Sequence, residues 1–270
     1  MNNYSILIDC PDCYLDILRV FFVFLSKNWK NRKSHIYIST QESDIEHPDN
    51  ISFIKCGKNK SCIERSLVAM DYIQEKYIIT VDCDDFIFKE VDDSIFDELV
   101  KFMHINKAKC IQIWKLKNKE HRKYKTDFPG LYKCNKKARY SRSLMANIWE
   151  KEAYRSLFKN AKTDGWKVEG MWLKECYESE PGYIDDFFYY DLDPLNILHS
   201  VSKGCWIRNS YRKIIKHGIP KEMLSQRKKL GIGLSIKFTI SMFLLNHLSS
   251  KSFLKLKKLF GRNKNYATDY

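Results

Sequence analysis

Asp82, Asp84 and Asp85 stand together in YIITVDCDDFIF (77–88), directly after a run of mostly apolar residues. Like charges this close repel one another, and withdrawing carboxylates from water is costly unless a cation joins them. Oxygen ligands at the end of a buried strand suit Mn2+ or Mg2+, which take one or two protein carboxylates and share a substrate's phosphates. A metal held this way neutralises a departing diphosphate, the electrostatic part of a group transfer. The alternative is an Asp-rich turn open to water at a strand end.

The elements that must position these carboxylates are legible in the first half of the chain. YSILID (4–9), HIYIST (35–40) and ISFIKC (51–56) read as strands, and residues 14–29 as an apolar helix. A second helix opens at Ser61 with the capping pattern Ser61-x-x-Glu64 and places Ile63, Leu67, Met70 and Ile73 on one face. YIITV lacks polar alternation, as a parallel strand covered on both faces does. A helix over 94–105 and a strand over 109–116 follow. Strands alternating with helices predict a parallel α/β sheet, in which ligands bind beyond the carboxyl ends of the strands. Asp9, Thr40 and the Asp82–Asp85 cluster all fall there. Beyond this lie a basic, turn-rich loop (117–140), helices predicted at 148–159 and 165–178, and an aromatic stretch, YIDDFFYYDLDP (183–194).

With 270 residues, 44% hydrophobic and 14% aromatic, the chain has ample material for a packed core, which excludes disorder as its default state. Nine cysteines are scattered, and Cys10 and Cys13 lack the second pair that a zinc site needs. The N-terminus has no basic region before its apolar stretch and carries Asp9, Asp12 and Asp16, so it does not read as a signal peptide. Reduced thiols in the cytoplasm are expected. The net charge of +14 is localised: residues 201–270 hold sixteen basic and two acidic side chains, while residues 1–200 are neutral. A cationic tail on a neutral body points to a polyanionic surface, lipid or nucleic acid. No helix-turn-helix, zinc-finger or RNA-binding motif is present, and an acidic cluster in a neutral body argues against nucleic acid. LGIGLSIKFTISMFLLNHL (230–248) contains Lys237 and is flanked by Arg227–Lys229 and Lys251–Lys258, which favours a helix lying in the membrane interface. Packing on the body and spanning the membrane remain the alternatives.

The strand-DxDD arrangement, with ILIDCPDCYLDIL (6–18) at the first strand, resembles nucleotide-sugar-dependent glycosyltransferases of the GT-A fold. More narrowly it resembles inverting, family-2-like bacterial enzymes that build O-antigen or capsule repeat units. The likeness continues through 61–92, 140–170 and 197–208 and covers residues 4–216 in order. It implies an α/β fold with a Rossmann-like, mixed but mainly parallel sheet flanked by helices. Residues 1–204 would form the transferase domain, with a nucleotide-binding half (1–116) and an acceptor half (117–204). Residues 205–270 would form a basic helical tail that associates with the membrane.

By the same resemblance, Asp84 and Asp85 hold the metal and the sugar-nucleotide diphosphate, with Asp82 nearer the ribose. Asp12 lies near the nucleotide base or caps the helix over 14–29. Arg65 reaches a nucleotide phosphate or pairs with an acid. Glu169 in DGWKVEGMW (164–172) is the general base that deprotonates the acceptor hydroxyl, or one carboxylate of a solvated helix face. Asp164, Glu175 and Asp186 compete for that role. Trp166 and Trp172 stack on the acceptor sugar or belong to core and rim, and His199 lies near the metal or is structural.

The implied reaction moves a hexose, from UDP-galactose or a similar donor, to a hydroxyl of a lipid-diphosphate-linked saccharide in O-antigen (lipopolysaccharide) synthesis. The enzyme would be peripheral on the inner face of the bacterial plasma membrane. Other readings fit less well. An aspartyl phosphatase usually has Thr or Val two residues after its second Asp. A nucleotidyltransferase wants a Gly-rich phosphate loop where this chain has DCPDCY. A non-enzymatic membrane or nucleic-acid module leaves the aspartates unexplained.

Overall fold

The apolar run Tyr4–Asp9 (β1) is the axis of the N-terminal half in a computed structural model that describes residues 4–159 and 165–259. From β1 the chain passes through helix Leu15–Asn28 (α1) to strands Ile36–Thr40 (β2) and Ile51–Lys55 (β3). Helix Cys62–Ala69 (α2) then leads to strand Tyr77–Asp82 (β4). These strands are parallel in the order β3-β2-β1-β4. Successive β4 residues point to opposite faces, and both Ile78 and Ile79 are fully buried, which is why the strand shows no alternation.

The chain leaves β1 on one side for β2 and returns on the other for β4. Such a reversal opens a crevice at the carboxyl ends of the two strands, where the register sets Asp9 beside Asp82. The expected cap of α2 is present: the Ser61 hydroxyl accepts from the Glu64 N–H at 3.3 Å, and the Glu64 carboxylate accepts from the Ser61 N–H at 2.9 Å. Helix α1 buries Ile17, Leu18, Val20, Phe21, Phe24 and Leu25, each worth about 1.5–3 kcal/mol on full burial. Phe24 stacks on Phe86 at 5.1 Å and so pins the short strand Asp85–Ile87 (β5).

In the second half come helix Ser94–Asn106 (α3) and strands Cys110–Gln112 (β6), Tyr124–Lys125 (β7), Leu131–Asn135 (β8) and Asn147–Glu150 (β9). Helices Lys151–Phe158 (α4) and Gly165–Glu178 (α5) and strand Tyr183–Tyr190 (β10) follow. The sheet continues β4-β9-β6-β10-β8-β7, with β9 antiparallel to both β4 and β6. The architecture is the expected α/β one, a sheet with a parallel N-terminal half flanked by helices. The helix predicted over 148–159 divides, however. Asn147, Ile148 and Trp149 are buried between two strands, and the Glu150 carboxylate then caps α4 by accepting from the Ala153 N–H at 2.7 Å. The strand predicted over 109–116 pairs only at 110–112.

The last elements are Ile197–His199 (β11), Val201–Ser202 (β12), Cys205–Trp206 (β13), Arg208–Lys216 (α6), Ile232–His247 (α7) and Ser250–Leu259 (α8). Strands β12 and β13 form a hairpin across the boundary expected between 204 and 205. Trp206, Ile214, Leu224 and Leu230 are all buried, so the body continues to Leu230 and the basic segment begins inside it. Among the described residues, no helix is long and apolar enough to cross a membrane. The end of the tail, residues 260–270, lies outside the described residues.

Candidate active site

Strand β4 delivers Asp82 to the sheet edge, and the Cys83 N–H donates to the Asp9 carbonyl at 3.3 Å as the chain turns into β5. Strand β11 runs antiparallel to β5 in a register that sets His199 opposite Asp85. His199 Nδ1 lies 2.8 Å from Asp85 Oδ1 and 4.0 Å from Asp84 Oδ2. The Asp84 carbonyl accepts from the Ser200 N–H at 3.0 Å and from the Ser200 hydroxyl at 2.6 Å. From α6, the Ser210 hydroxyl donates to the His199 carbonyl at 2.7 Å. Backbone and helix thus fix the two acids and the imidazole together.

Ligand atoms of Asp84, Asp85 and His199 lie within 4.8 Å of one another. Among the described residues this is the one group of acidic, His or Cys side chains so spaced. Asp85 is fully buried and its Oδ2 has no hydrogen-bond partner, an arrangement that costs free energy unless a cation satisfies the oxygen. Two carboxylates and an imidazole fit Mn2+ better than Mg2+, which prefers oxygen and water alone.

The electrostatics agree. Burial, and then the Asp85 charge, push the Asp84 carboxyl up to about 6 against the opposing pull of His199. Burial works to lower the His199 imidazole, but Asp84 and the hydrogen bond to Asp85 outweigh it and raise the group to about 9. Asp82 is held well above the usual carboxylate range, by the crowding of protein around it and then by Asp85, Asp84 and Asp9. Because its side chain is exposed, the neighbouring charges are the cause that counts.

Asp82 also borders a small crevice of about 40 Å³ lined by Leu7, Asp9, Cys62, Thr80, Leu144 and Tyr154. Arg65 does not offer its guanidinium to a phosphate there. Its Nε and Nη2 donate to the Asp9 carboxylate at 2.8 and 2.6 Å, and its Nη1 to the Lys60 carbonyl at 2.7 Å. Burial leaves the Asp9 carboxyl above its ordinary value even so, whereas burial's lowering of Arg65 is outweighed by Asp9. These shifts pull opposite ways on the pair, and the two-point geometry decides for an ion pair. Arg65 therefore braces the end of β1.

Asp12 does not cap α1 either. Its carboxylate accepts from the Gln41 N–H at 2.9 Å and the Ser43 hydroxyl at 2.8 Å, tying the turn after β2 to the turn after β1. Burial works to raise its carboxyl, but these hydrogen bonds outweigh it and hold the group below its ordinary value.

On α5, Glu169 Oε1 accepts from the N–H of Leu144, a residue that lines the crevice, at 2.7 Å. Burial raises its carboxyl, while the bonds from Leu144 and the Ser143 hydroxyl restrain the rise. Trp166 presents an exposed ring one turn earlier. Trp172 is a core residue, packed on Phe158 at 6.0 Å with the Arg142 guanidinium 5.4 Å over its ring, so neither face is open to a sugar. Of the competing carboxylates, Glu175 pairs with Arg142 and Asp186 with Lys109, and Asp164 lies outside the described residues.

The structure also recruits residues that local sequence patterns do not reveal. Arg227 donates from Nε and Nη2 to the Asp16 carboxylate, each at 2.7 Å, and its guanidinium lies 4.3 Å over the Tyr14 ring. Phe238 of α7 stacks on the His199 ring at 6.4 Å and 19°. Arg227 sits in a basic run that reads as the flank of a membrane-interface helix, and its partner is 211 residues away.

No protein-family model matches the sequence, and no curated protein matches it. Among solved structures, a cytidylyltransferase from Leptospira borgpetersenii serovar Hardjo-bovis is 14% identical over 98% of this chain and 99% of that one, with a TM-score of 0.45. TarS of S. aureus is 11% identical over 89% of this chain, which spans 43% of the TarS chain, with a TM-score of 0.40. A galactosyltransferase, LgtC, in complex with donor and acceptor sugar analogs, is 13% identical over 71% of this chain and 69% of that one, with a TM-score of 0.34. Likenesses this remote carry no weight for family or activity, which leaves the site chemistry to decide.

Proposed function

We propose that the chain is a metal-dependent inverting glycosyltransferase. It moves a hexose from a nucleotide sugar, UDP-galactose or a similar UDP-hexose, to a hydroxyl of a lipid-diphosphate-linked saccharide in bacterial surface-polysaccharide (O-antigen) synthesis. The observation that carries this reading is the Asp84–Asp85–His199 cluster at the carboxyl end of β4, beside the β1/β4 crevice. Mn2+ held by these three side chains would supply the charge that stabilises a leaving nucleoside diphosphate.

The chain's own residues do the rest. Asp82 would orient the donor's ribose hydroxyls, a role its exposure at the crevice edge supports. Asp12 holds the two turns that would flank the base. Glu169, with its carboxyl raised by burial, takes the proton of the attacking acceptor hydroxyl as the anomeric carbon inverts. The exposed Trp166 ring supports a sugar-stacking role. The body, through Leu230, carries this chemistry, and the cationic C-terminal segment brings it to the anionic inner face of the plasma membrane.

Nucleotidyl transfer is less well supported, because the turn from Cys10 to Tyr14 contains no glycine to cradle a triphosphate. The test is a panel of nucleotide sugars and nucleoside triphosphates with Mn2+ and a synthetic lipid-diphosphate acceptor. Transfer of a hexose by the wild type, reduced at least about a hundredfold in Asp84→Asn, supports the proposal. A nucleotidylated product, or equal transfer by the variant, overturns it.

A further inference from the structure

Helix α7 is largely apolar, yet among its residues only Leu245 is buried. Both of its ends are tied to the body. At the start, the Leu230 N–H donates to the Trp206 carbonyl at 2.8 Å, and the Leu230 carbonyl accepts from Arg208 Nε at 2.7 Å. At the end, Asn246 Oδ1 accepts from the Lys117 N–H at 2.9 Å, and the Leu248 carbonyl accepts from Asn118 Nδ2 at 2.7 Å. Between these anchors the helix, about 24 Å long at 1.5 Å per residue, sets the Phe238 ring nearly parallel to that of His199, with centroids 6.4 Å apart.

Its two faces differ in partners. Phe238, Met242 and Leu245 fall on the side toward the body, where Leu245 is buried and Met242 packs against the core. Ile232, Ile236, Ile240 and Phe243, spaced i, i+4, i+8 and i+11, form the opposite stripe and are between 53% and 66% exposed. No acidic residue occurs from 223 to 268, whereas Lys228, Lys229, Lys237, Lys251 and Lys255 lie on or beside the helix. An apolar stripe in a segment whose own charges are all cationic complements an anionic lipid surface. A second copy of the chain would bring like charges together.

We propose that α7 is one element with two tasks: its outer stripe lies in the headgroup region of an anionic bilayer, and its inner face roofs the metal centre. This rests on the membrane reading above and adds an orientation to it. The membrane-bound protein holds Asp84, Asp85 and His199 directly beneath the lipid surface, where a lipid-linked acceptor arrives without leaving the bilayer plane.

Hydrogen exchange of the full chain, with vesicles of phosphatidylcholine alone or with about a third phosphatidylglycerol, tests it. Anionic vesicles should protect the amides of 232–243. Ile236→Ser with Ile240→Ser should weaken vesicle binding on the order of tenfold with the thermal melt unchanged, since both side chains are exposed. Phe238→Ala should speed exchange in β11 while vesicle affinity holds within about twofold. Vesicle binding without α7 protection, or β11 exchange unmoved by Phe238→Ala, overturns the inference and leaves the membrane reading standing. Absence of vesicle binding sinks both. Concentration-dependent dimerisation that the double variant abolishes gives the stripe to a second copy and likewise overturns it.

Discussion

His199 Nδ1 lies 2.8 Å from Asp85 Oδ1 across the β5–β11 pair, so a protonated imidazole stands where a divalent cation would be bound. With His199 raised to about 9, a metal must displace its proton at neutral pH. Mn2+ affinity should therefore climb about tenfold per pH unit from neutrality up to about 9 and then level off. It should fall more steeply below about 6, where Asp84 also takes a proton. In metal-free protein the stability trend has the opposite sense. Both groups bind protons more tightly when folded, so their contribution is complete below the ordinary values of 3.8 and 6.5. It is lost as pH rises through about 6 for Asp84 and about 9 for His199. Calorimetric Mn2+ titrations across this range check the first trend, and an affinity flat from neutrality to 9 removes His199 from the ligand set.

Asp84 and Asp85 differ in what else they hold, so their amide variants should separate. Asp84→Asn removes one ligand from a loop fixed through its own carbonyl, and Ser200 still grips that carbonyl. Its fold should persist while the rise in melting temperature produced by UDP with Mn2+ disappears. Asp85→Asn also alters the partner of His199 and should lower the imidazole's pKa from about 9. Nuclear magnetic resonance titration of His199 reads that shift, and an unmoved imidazole would break the pairing.

The parallel half and its aspartates were legible because each depends on local pattern: apolar runs, a capping box, acids at strand ends. The Asp85–His199 pair was less so, since it needs a register between strands 114 residues apart. Four-residue β9 was hidden because its sequence runs straight into α4, and a short apolar run has no period of its own. Trp172 stayed open between sugar platform and core because helical spacing does not say which face of α5 meets the core. Arg65 could be placed one turn into α2, but only the close approach of α2 to the end of β1 shows that Asp9 takes both of its donors.

That buried Asp9–Arg65 pair should matter more for folding than for binding. The two side chains are 13% and 7% exposed, and removing the cation strands a carboxylate among apolar neighbours. Arg65→Leu should cost about 3–5 kcal/mol in urea unfolding. Disrupting the exposed Lys55–Asp44 pair should cost less than about 1 kcal/mol. An Arg65→Leu protein of normal stability that fails to bind UDP would return Arg65 to the phosphate.

Glu169 sits where structure and chemistry make separable demands. Its Oε1 anchors the Leu144 N–H, and Leu144 lines the crevice, so truncation to alanine should loosen the wall as well as remove the carboxylate. Glu169→Gln keeps an oxygen for that hydrogen bond and removes only the ability to take a proton. Turnover should fall about 10²–10⁴-fold with nucleotide affinity nearly unchanged, whereas Glu169→Ala should lose both. In the wild type, activity should drop as pH falls through the raised Glu169 value, and the glutamine variant should lose that limb of the profile. Steady-state kinetics across pH for the three proteins separate the roles. Near-normal turnover in Glu169→Gln moves the base to another carboxylate and leaves Glu169 as the strut of the 143–144 loop.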